Sequence, residues 1–114
     1  MLYSRWQVVL MIIKIAPQRR DDEFVVEKNG MALKINGDTF DFSPMQEGGT
    51  LPRSAIACEW IWDDVNVDGG QLVVCLILPV PANYSPEQAY PADLTDVPDG
   101  IVQFPKALPL IETA

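Results

Sequence analysis

Histidine is missing from this 114-residue chain altogether. Its absence removes the usual general base, the nucleophile triads built on it, and the common zinc sites. Basic residues are nearly as scarce over the second half. No Lys or Arg lies between Arg53 and Lys106, whereas eight acids do: Glu59, Asp63, Asp64, Asp68, Glu87, Asp93, Asp96 and Asp99. With a net charge of −8, such a surface repels a phosphate backbone, and no nucleic-acid partner is expected. The single basic pair, Arg19-Arg20, is followed at once by Asp21, Asp22 and Glu23, which reads as a solvated turn with local ion pairs. The glycine pairs Gly48-Gly49 and Gly69-Gly70 lack the Lys and the following helix of a phosphate loop. Asp63 and Asp64 are adjacent, so a strand points them to opposite faces rather than pairing them for acid-base work. No catalytic residue is assigned and no cofactor is expected.

Long apolar runs are absent too. Val8 to Ile13 is six residues before Lys14, far short of the ~20 that span a bilayer. Arg5 ahead of that run imitates a secretion signal, but no small-x-small cleavage site follows. The run is β-branched and reads as the first strand, with Met11 as an alternative start and residues 1–10 as an N-terminal appendage. The two cysteines, Cys58 and Cys75, sit in apolar stretches without CxxC spacing. They read as buried free thiols; a bridge between them would need an oxidising compartment.

What remains is strand after strand. Phe24, Val26 and Lys28 alternate with Glu23, Val25 and Glu27, and Met31, Leu33 and Ile35 alternate with Ala32, Lys34 and Asn36. Asn29-Gly30 between them predicts a two-residue hairpin turn, because a type I′ turn needs positive φ at both centres. Gly37-Asp38 then turns the chain into Thr39–Phe42, whose two rings share a face. Residues 43–53 are loop by composition, with Met45 and Leu51 available to the core. A second hairpin is predicted between Ile56–Trp62 and Leu72–Leu78, the latter apolar on both faces and therefore central. An Asp68-Gly69 turn sets Trp62 opposite Cys75 and Trp60 opposite Ile77, with a bulge near Asp63-Asp64. A longer loop would set Cys58 opposite Cys75 instead. Seven of the ten prolines lie from Pro79 onward, which predicts extended backbone, broken by a turn or two of helix at Pro86–Tyr90.

The fold expectation is one mainly β domain: a small antiparallel β-sandwich or barrel-like meander of six or seven strands. Residues 11–82 form its core, and residues 83–114 a proline-rich extended C-terminal arm with an edge strand at 100–104.

Three sets of residues are candidates for function. Asp64, Asn66 and Asp68 before Gly69 match D-x-N-x-D-G, the first half of a calcium loop. The twelfth position is Cys75, where a bidentate Glu is needed, so a solvated hairpin tip is the plainer reading. Asp93, Asp96 and Asp99 recur every third residue, which in a polyproline-like segment puts them on one acidic edge, for a partner or a cation; a solvated, turn-rich linker is the plainer reading. Trp62, at a strand end, and Tyr84 and Tyr90, in the arm, are the aromatics free to meet a partner, while Trp60 belongs to the core.

The stretches Ile13-Lys-Ile-Ala-Pro-Gln-Arg-Arg-Asp-Asp22, Ile35-Asn-Gly-Asp-Thr-Phe-Asp-Phe-Ser-Pro44, Leu51-Pro-Arg53 and Cys58-Glu-Trp60 resemble small proteins encoded in bacteriophage and prophage genomes, among tail genes. The similarity covers most of residues 11–105. That family has no established site, so no functional residue transfers. The resemblance implies a bacterial cytoplasmic location, or the virion, and a structural or assembly role exercised through another phage protein, with self-association also compatible. A small-molecule or carbohydrate-binding module using Trp62 and nearby acids is the alternative, and a carboxylate-based hydrolase a more distant one.

Overall fold

The computed structural model describes residues 10–108. The appendage expected at residues 1–10 lies outside that range except for Leu10, and so do residues 109–114. Among the described residues eight strands form two four-stranded sheets, and no barrel closes. The first sheet has the order β1-β7-β6-β5 and the second β4-β3-β2-β8. In the first, β1 is Leu10–Arg19, β5 Thr50–Leu51, β6 Val65–Asp68 and β7 Gln71–Val80. In the second, β2 is Val26–Asn29, β3 Ala32–Ile35, β4 Asp38–Asp41 and β8 Gly100–Ile101.

Alternation decides which side of each sheet is buried. Met11 and Ile13 on β1, Leu72, Val74 and Leu76 on β7, and Val65 and Val67 on β6 all face inward and are buried. They meet Val26, Leu33, Ile35 and Phe42 of the second sheet in one continuous cluster. Each such side chain removed from water contributes about 1.5–3 kcal/mol. β7 is central, as its run of apolar residues predicts.

The antiparallel expectation fails at one place. β1 pairs with β7 in parallel over their full lengths, from Leu10↔Gln71 to Arg19↔Val80. Sequence alternation specifies a strand's faces but not its direction, so the parallel pairing left no local trace.

Both predicted turns of the meander shift by one residue. Asn29 pairs with Ala32, which leaves Gly30-Met31 at the first corner, and Ile35 pairs with Asp38, which leaves Asn36-Gly37 at the second. The second is where both centres have positive φ, 47° for Asn36 and 93° for Gly37. Asn36 is held there from three directions. Its N–H donates to the Val25 carbonyl at 2.9 Å, its Oδ1 accepts from the Val25 N–H at 2.8 Å, and its Nδ2 donates to the Glu23 carbonyl at 2.9 Å.

The second hairpin is also altered. Residues 56–60 form no strand, and the arm that pairs with β7 near the turn is β6, closed by Gly69-Gly70 with Asp68 opposite Gln71. Further along, Ile61 bridges Leu76, the Trp62 N–H donates to the Cys75 carbonyl, and the Ile77 N–H donates to the Trp60 carbonyl. That part of the register is the one expected. Ile61 to Asn66 spans more residues than Leu76 to Val73 opposite, so the extra residues bulge at Asp63-Asp64, where burial would have cost two charges. Cys58 and Cys75 are free and partly buried.

The C-terminal segment has the extended backbone its prolines imply, but it does not project as an arm. It runs back along both sheets. Leu94 exchanges two backbone hydrogen bonds with Ile13, and the Val97 N–H donates to the Met11 carbonyl. β8 pairs with β2, and the Val102 N–H continues that ladder to the Val26 carbonyl. Val97 and Val102 are buried, and the Phe104 ring packs 5.3 Å from Phe24. The edge strand predicted at 100–104 is present as β8 with narrower bounds. The helix is one turn, α1 (Pro86–Ala89), whose Ser85 and Gln88 form a reciprocal capping box. The same two side chains reach the carbonyls of Lys106 and Pro105, tying the start of the segment to its end.

Candidate functional site

The calcium reading depends on Asp64, Asn66 and Asp68 converging, and the fold spreads them out. Asn66 and Asp68 lie two apart on β6, ~7 Å from each other along its axis, and Asp64 stands outside the strand at the bulge. Two of them already accept local donors. Asp64 Oδ1 takes the Arg53 backbone N–H at 2.8 Å, and Asn66 Oδ1 takes the Thr50 hydroxyl at 2.8 Å. The carboxylate at the hairpin tip comes from a different loop, where Glu47 accepts the N–H groups of Gly69 and Gly70 at 2.6 and 2.9 Å. Among the described residues no group of three or more His, Cys, Asp or Glu is arranged to hold a metal ion.

The acidic triplet is likewise divided. Asp96 turns the chain at φ 54° and is exposed. Asp99 instead anchors the C-terminal segment, its Oδ1 accepting from Lys28 Nζ at 2.8 Å and from the Gly30 N–H at 3.0 Å. Lys28 occupies an inward position of β2 and is only 8% exposed, so Asp99 serves the one buried ammonium of that sheet. The Lys28 bond, and then the Gly30 N–H, hold the Asp99 carboxyl below its usual range. An inward Lys in the Val26-x-Lys28 alternation was the available signal that a carboxylate must come to meet it. Asp93 stands apart from both, beside β1.

The candidate aromatics do not gather. Tyr90 is 87% exposed at the end of α1, and Tyr84 is exposed just before it. Trp60 is buried, as expected, with Phe24 at 5.1 Å and the Arg20 guanidinium 4.4 Å over its ring. Trp62 is 48% exposed, and the Arg53 guanidinium covers one of its faces at 5.1 Å.

The feature that sequence reading missed is the outward face of the first sheet. Opposite the buried row of β1 stand Leu10, Ile12 and Lys14; opposite that of β7 stand Val73 and Cys75; and Trp62 alternates outward from the buried Ile61. Leu10 is 48% exposed, and Ile12, Val73 and Cys75 are partly exposed. Register lines up Asp93, Lys14, Cys75 and Trp62 across neighbouring strands, because Leu94 pairs with Ile13 and Lys14 with Cys75. The next row holds Ile12, Val73, Asn66 and Thr50. A shallow depression of about 420 Å³ between Gly49, Thr50, Asn66, Asp68 and Val73 continues this face toward β5. Burial raises the Cys75 thiol first, with Asp63 and Asp93 adding to the rise and Lys14 opposing it. Register puts the Asp93 carboxylate and the Lys14 ammonium in the same row as Cys75. Burial likewise raises the Cys58 thiol, so neither cysteine is poised as a nucleophile.

A second groove, of about 320 Å³, lies between Leu94–Pro98 and Ile101–Gln103 and is mostly apolar. Among the described residues no helix is long and apolar enough to cross a membrane. No protein-family model matches the chain, and neither does a curated protein or a solved structure.

Proposed function

We propose that this protein is a non-enzymatic contact module, a phage- or prophage-encoded structural or assembly protein that acts through another protein in the bacterial cytoplasm or the virion. The phage assignment rests on the sequence resemblance. One observation carries the contact role, the apolar patch of Leu10, Ile12, Val73, Cys75 and Trp62 that the described residues leave partly exposed on the outward face of β1 and β7. Contiguous apolar surface on an acidic chain marks a partner site. The dispersal of the acids, several of them engaged in local hydrogen bonds, supports a non-catalytic reading. The carbohydrate alternative is weakened by Arg53, whose guanidinium lies against a Trp62 face on which a sugar ring would stack.

The test pairs the full chain with a Trp62→Ser/Val73→Thr variant as baits in cells of an induced lysogen, with cross-linked sites mapped. Val73→Thr keeps β-branching and so keeps the strand. The expected result is a phage protein cross-linked to the outward face of the first sheet and lost with the variant. Identical capture by both baits refutes the reading.

A further inference from the structure

Two Asn-Gly dipeptides, Asn29-Gly30 and Asn36-Gly37, stand exposed at the corners of the meander. Asparagine is thermolabile, and most so before glycine, whose lack of a Cβ lets its backbone nitrogen reach the Cγ of the preceding side chain. That attack needs a side chain free to swing onto the nitrogen and an N–H that solvent can deprotonate. One of the two is withheld at each corner, and not the same one.

At Asn36-Gly37 the side chain is held. Its Oδ1 accepts from the Val25 N–H at 2.8 Å and its Nδ2 donates to the Glu23 carbonyl at 2.9 Å, while the Gly37 N–H has no acceptor among the described residues. At Asn29-Gly30 the nucleophile is held instead. Among the described residues nothing hydrogen-bonds the exposed Asn29 side chain, but the Gly30 N–H donates to Asp99 Oδ1 at 3.0 Å. Lys28 Nζ fixes that same oxygen at 2.8 Å. An amide donating to a carboxylate resists deprotonation, because its anion would face a second negative charge. The clamp on Asn36 comes from the residues leading into β2. The guard of Asn29 lies 69 residues from Gly30, in the C-terminal segment. Local opening of that segment removes the guard and leaves the clamp.

We propose that Asn29-Gly30 is a latent self-modification site, kept silent by the Asp99 carboxylate and opened when the C-terminal segment lifts from β2. The freed Gly30 nitrogen gives its proton to solvent and attacks Asn29 Cγ. The new C–N bond closes a cyclic imide as the Cγ–Nδ2 bond breaks, and Nδ2 leaves as ammonia after taking a proton from solvent. Water, the one co-reactant, then opens the imide at either carbonyl, to aspartate or to isoaspartate. Isoaspartate lengthens the β2 backbone by a methylene where Asn29 pairs with Ala32. Either product puts a negative charge next to Gly30, which Asp99 must bind again, so the modification records that the segment has opened.

The test incubates the full-length protein in mildly alkaline buffer and follows each dipeptide by peptide mapping, with fragmentation that separates aspartate from isoaspartate. In Asp99→Ala, shown folded by circular dichroism, Asn29 should react roughly tenfold faster than in the wild type, the effect of one hydrogen bond to a charged group. Asn36 should keep its rate. Should Asp99→Ala not fold, Lys28→Met/Asp99→Leu replaces both partners of the ion pair by apolar groups and is expected to behave the same way. Val102→Ala, which loosens the segment without touching Asp99, should also accelerate Asn29 and not Asn36. Hydrogen exchange on the wild-type protein reads the guard directly, with a slow Gly30 amide and a fast Gly37 amide expected. An unchanged Asn29 rate in the folded variants, equal acceleration at both dipeptides, or fast exchange at Gly30 overturns the proposal.

Discussion

Removing residues 83–114 tests whether the proline-rich segment is part of the domain or an accessory to it. The deletion strips the β1 edge of Leu94 and Val97 and the β2 edge of β8 and Val102. It also uncovers the Phe24 ring that Phe104 covers. Val97 and Val102 are buried, and Leu94 and Phe104 pack against the core from partly buried positions. At about 1.5–2 kcal/mol for each buried side chain and about half that for each partly buried one, the loss is about 5 kcal/mol. The facing surfaces of Ile13 and Val26, returned to water, add to it. A domain of this size has only about 5–15 kcal/mol in total. A chain ending at Ala82 is therefore expected to lose cooperative folding. The assay is urea unfolding followed by far-ultraviolet circular dichroism, with the full chain as reference. In the same assay, full-length Val97→Ala and Val102→Ala should each cost about 1.5–2.5 kcal/mol and lower the urea midpoint without changing the slope. A truncated chain with an unaltered midpoint would refute the reasoning, since the segment would then contribute nothing to the core.

Three further outcomes follow from local geometry. Asp99 has a folded-state pKa depressed below its unfolded value by Lys28 and Gly30. Its contribution is therefore present above the unfolded carboxylate range near pH 4 and lost as pH falls through the lower folded value. Asp99→Asn should lower the melting temperature at neutral pH and flatten the acid limb of the stability profile, both read by calorimetry across pH. Asn36→Ala removes two side-chain hydrogen bonds and puts Ala at φ 47°, so a loss of about 1–3 kcal/mol is expected in urea titrations. Cys58 and Cys75, with thiols raised by burial, should alkylate far more slowly at neutral pH than in the unfolded chain, as followed by mass spectrometry.

What could be read from residues alone was whatever depends on local pattern. The faces of β2 and β3, the burial of Trp60, the bulge at Asp63-Asp64 and the single turn of helix at Pro86 all follow from alternation, turn chemistry or capping. Turn placement erred by one residue at each corner because a dipeptide marks that the chain turns, while strand pairing decides which two residues close the turn. The parallel partnership of β1 and β7 was illegible for a deeper reason: strands distant in sequence carry no mark of direction. Prolines announced extended backbone in the C-terminal segment but not its destination, which is decided by Leu94, Val97 and Val102 finding two open edges. The candidate site was hidden with the parallel pair: Lys14 marks the row of Leu10 and Ile12 as the one that meets water, but its apolar neighbours Val73 and Cys75 are not known until β7 is placed beside it.

The parallel pairing also dictates an order of events as the chain leaves the ribosome. The β2–β3–β4 meander is local and can close as soon as Asp41 has emerged, whereas β1 has no partner until Gln71–Val80 has been made. Throughout that interval the strand formed by Leu10–Ile15 is an apolar template without its mate, the kind of species that aggregates when synthesis is fast or the temperature high. Yield of folded protein should therefore depend more on the pace of translation between β1 and β7 than on the stability of the finished domain.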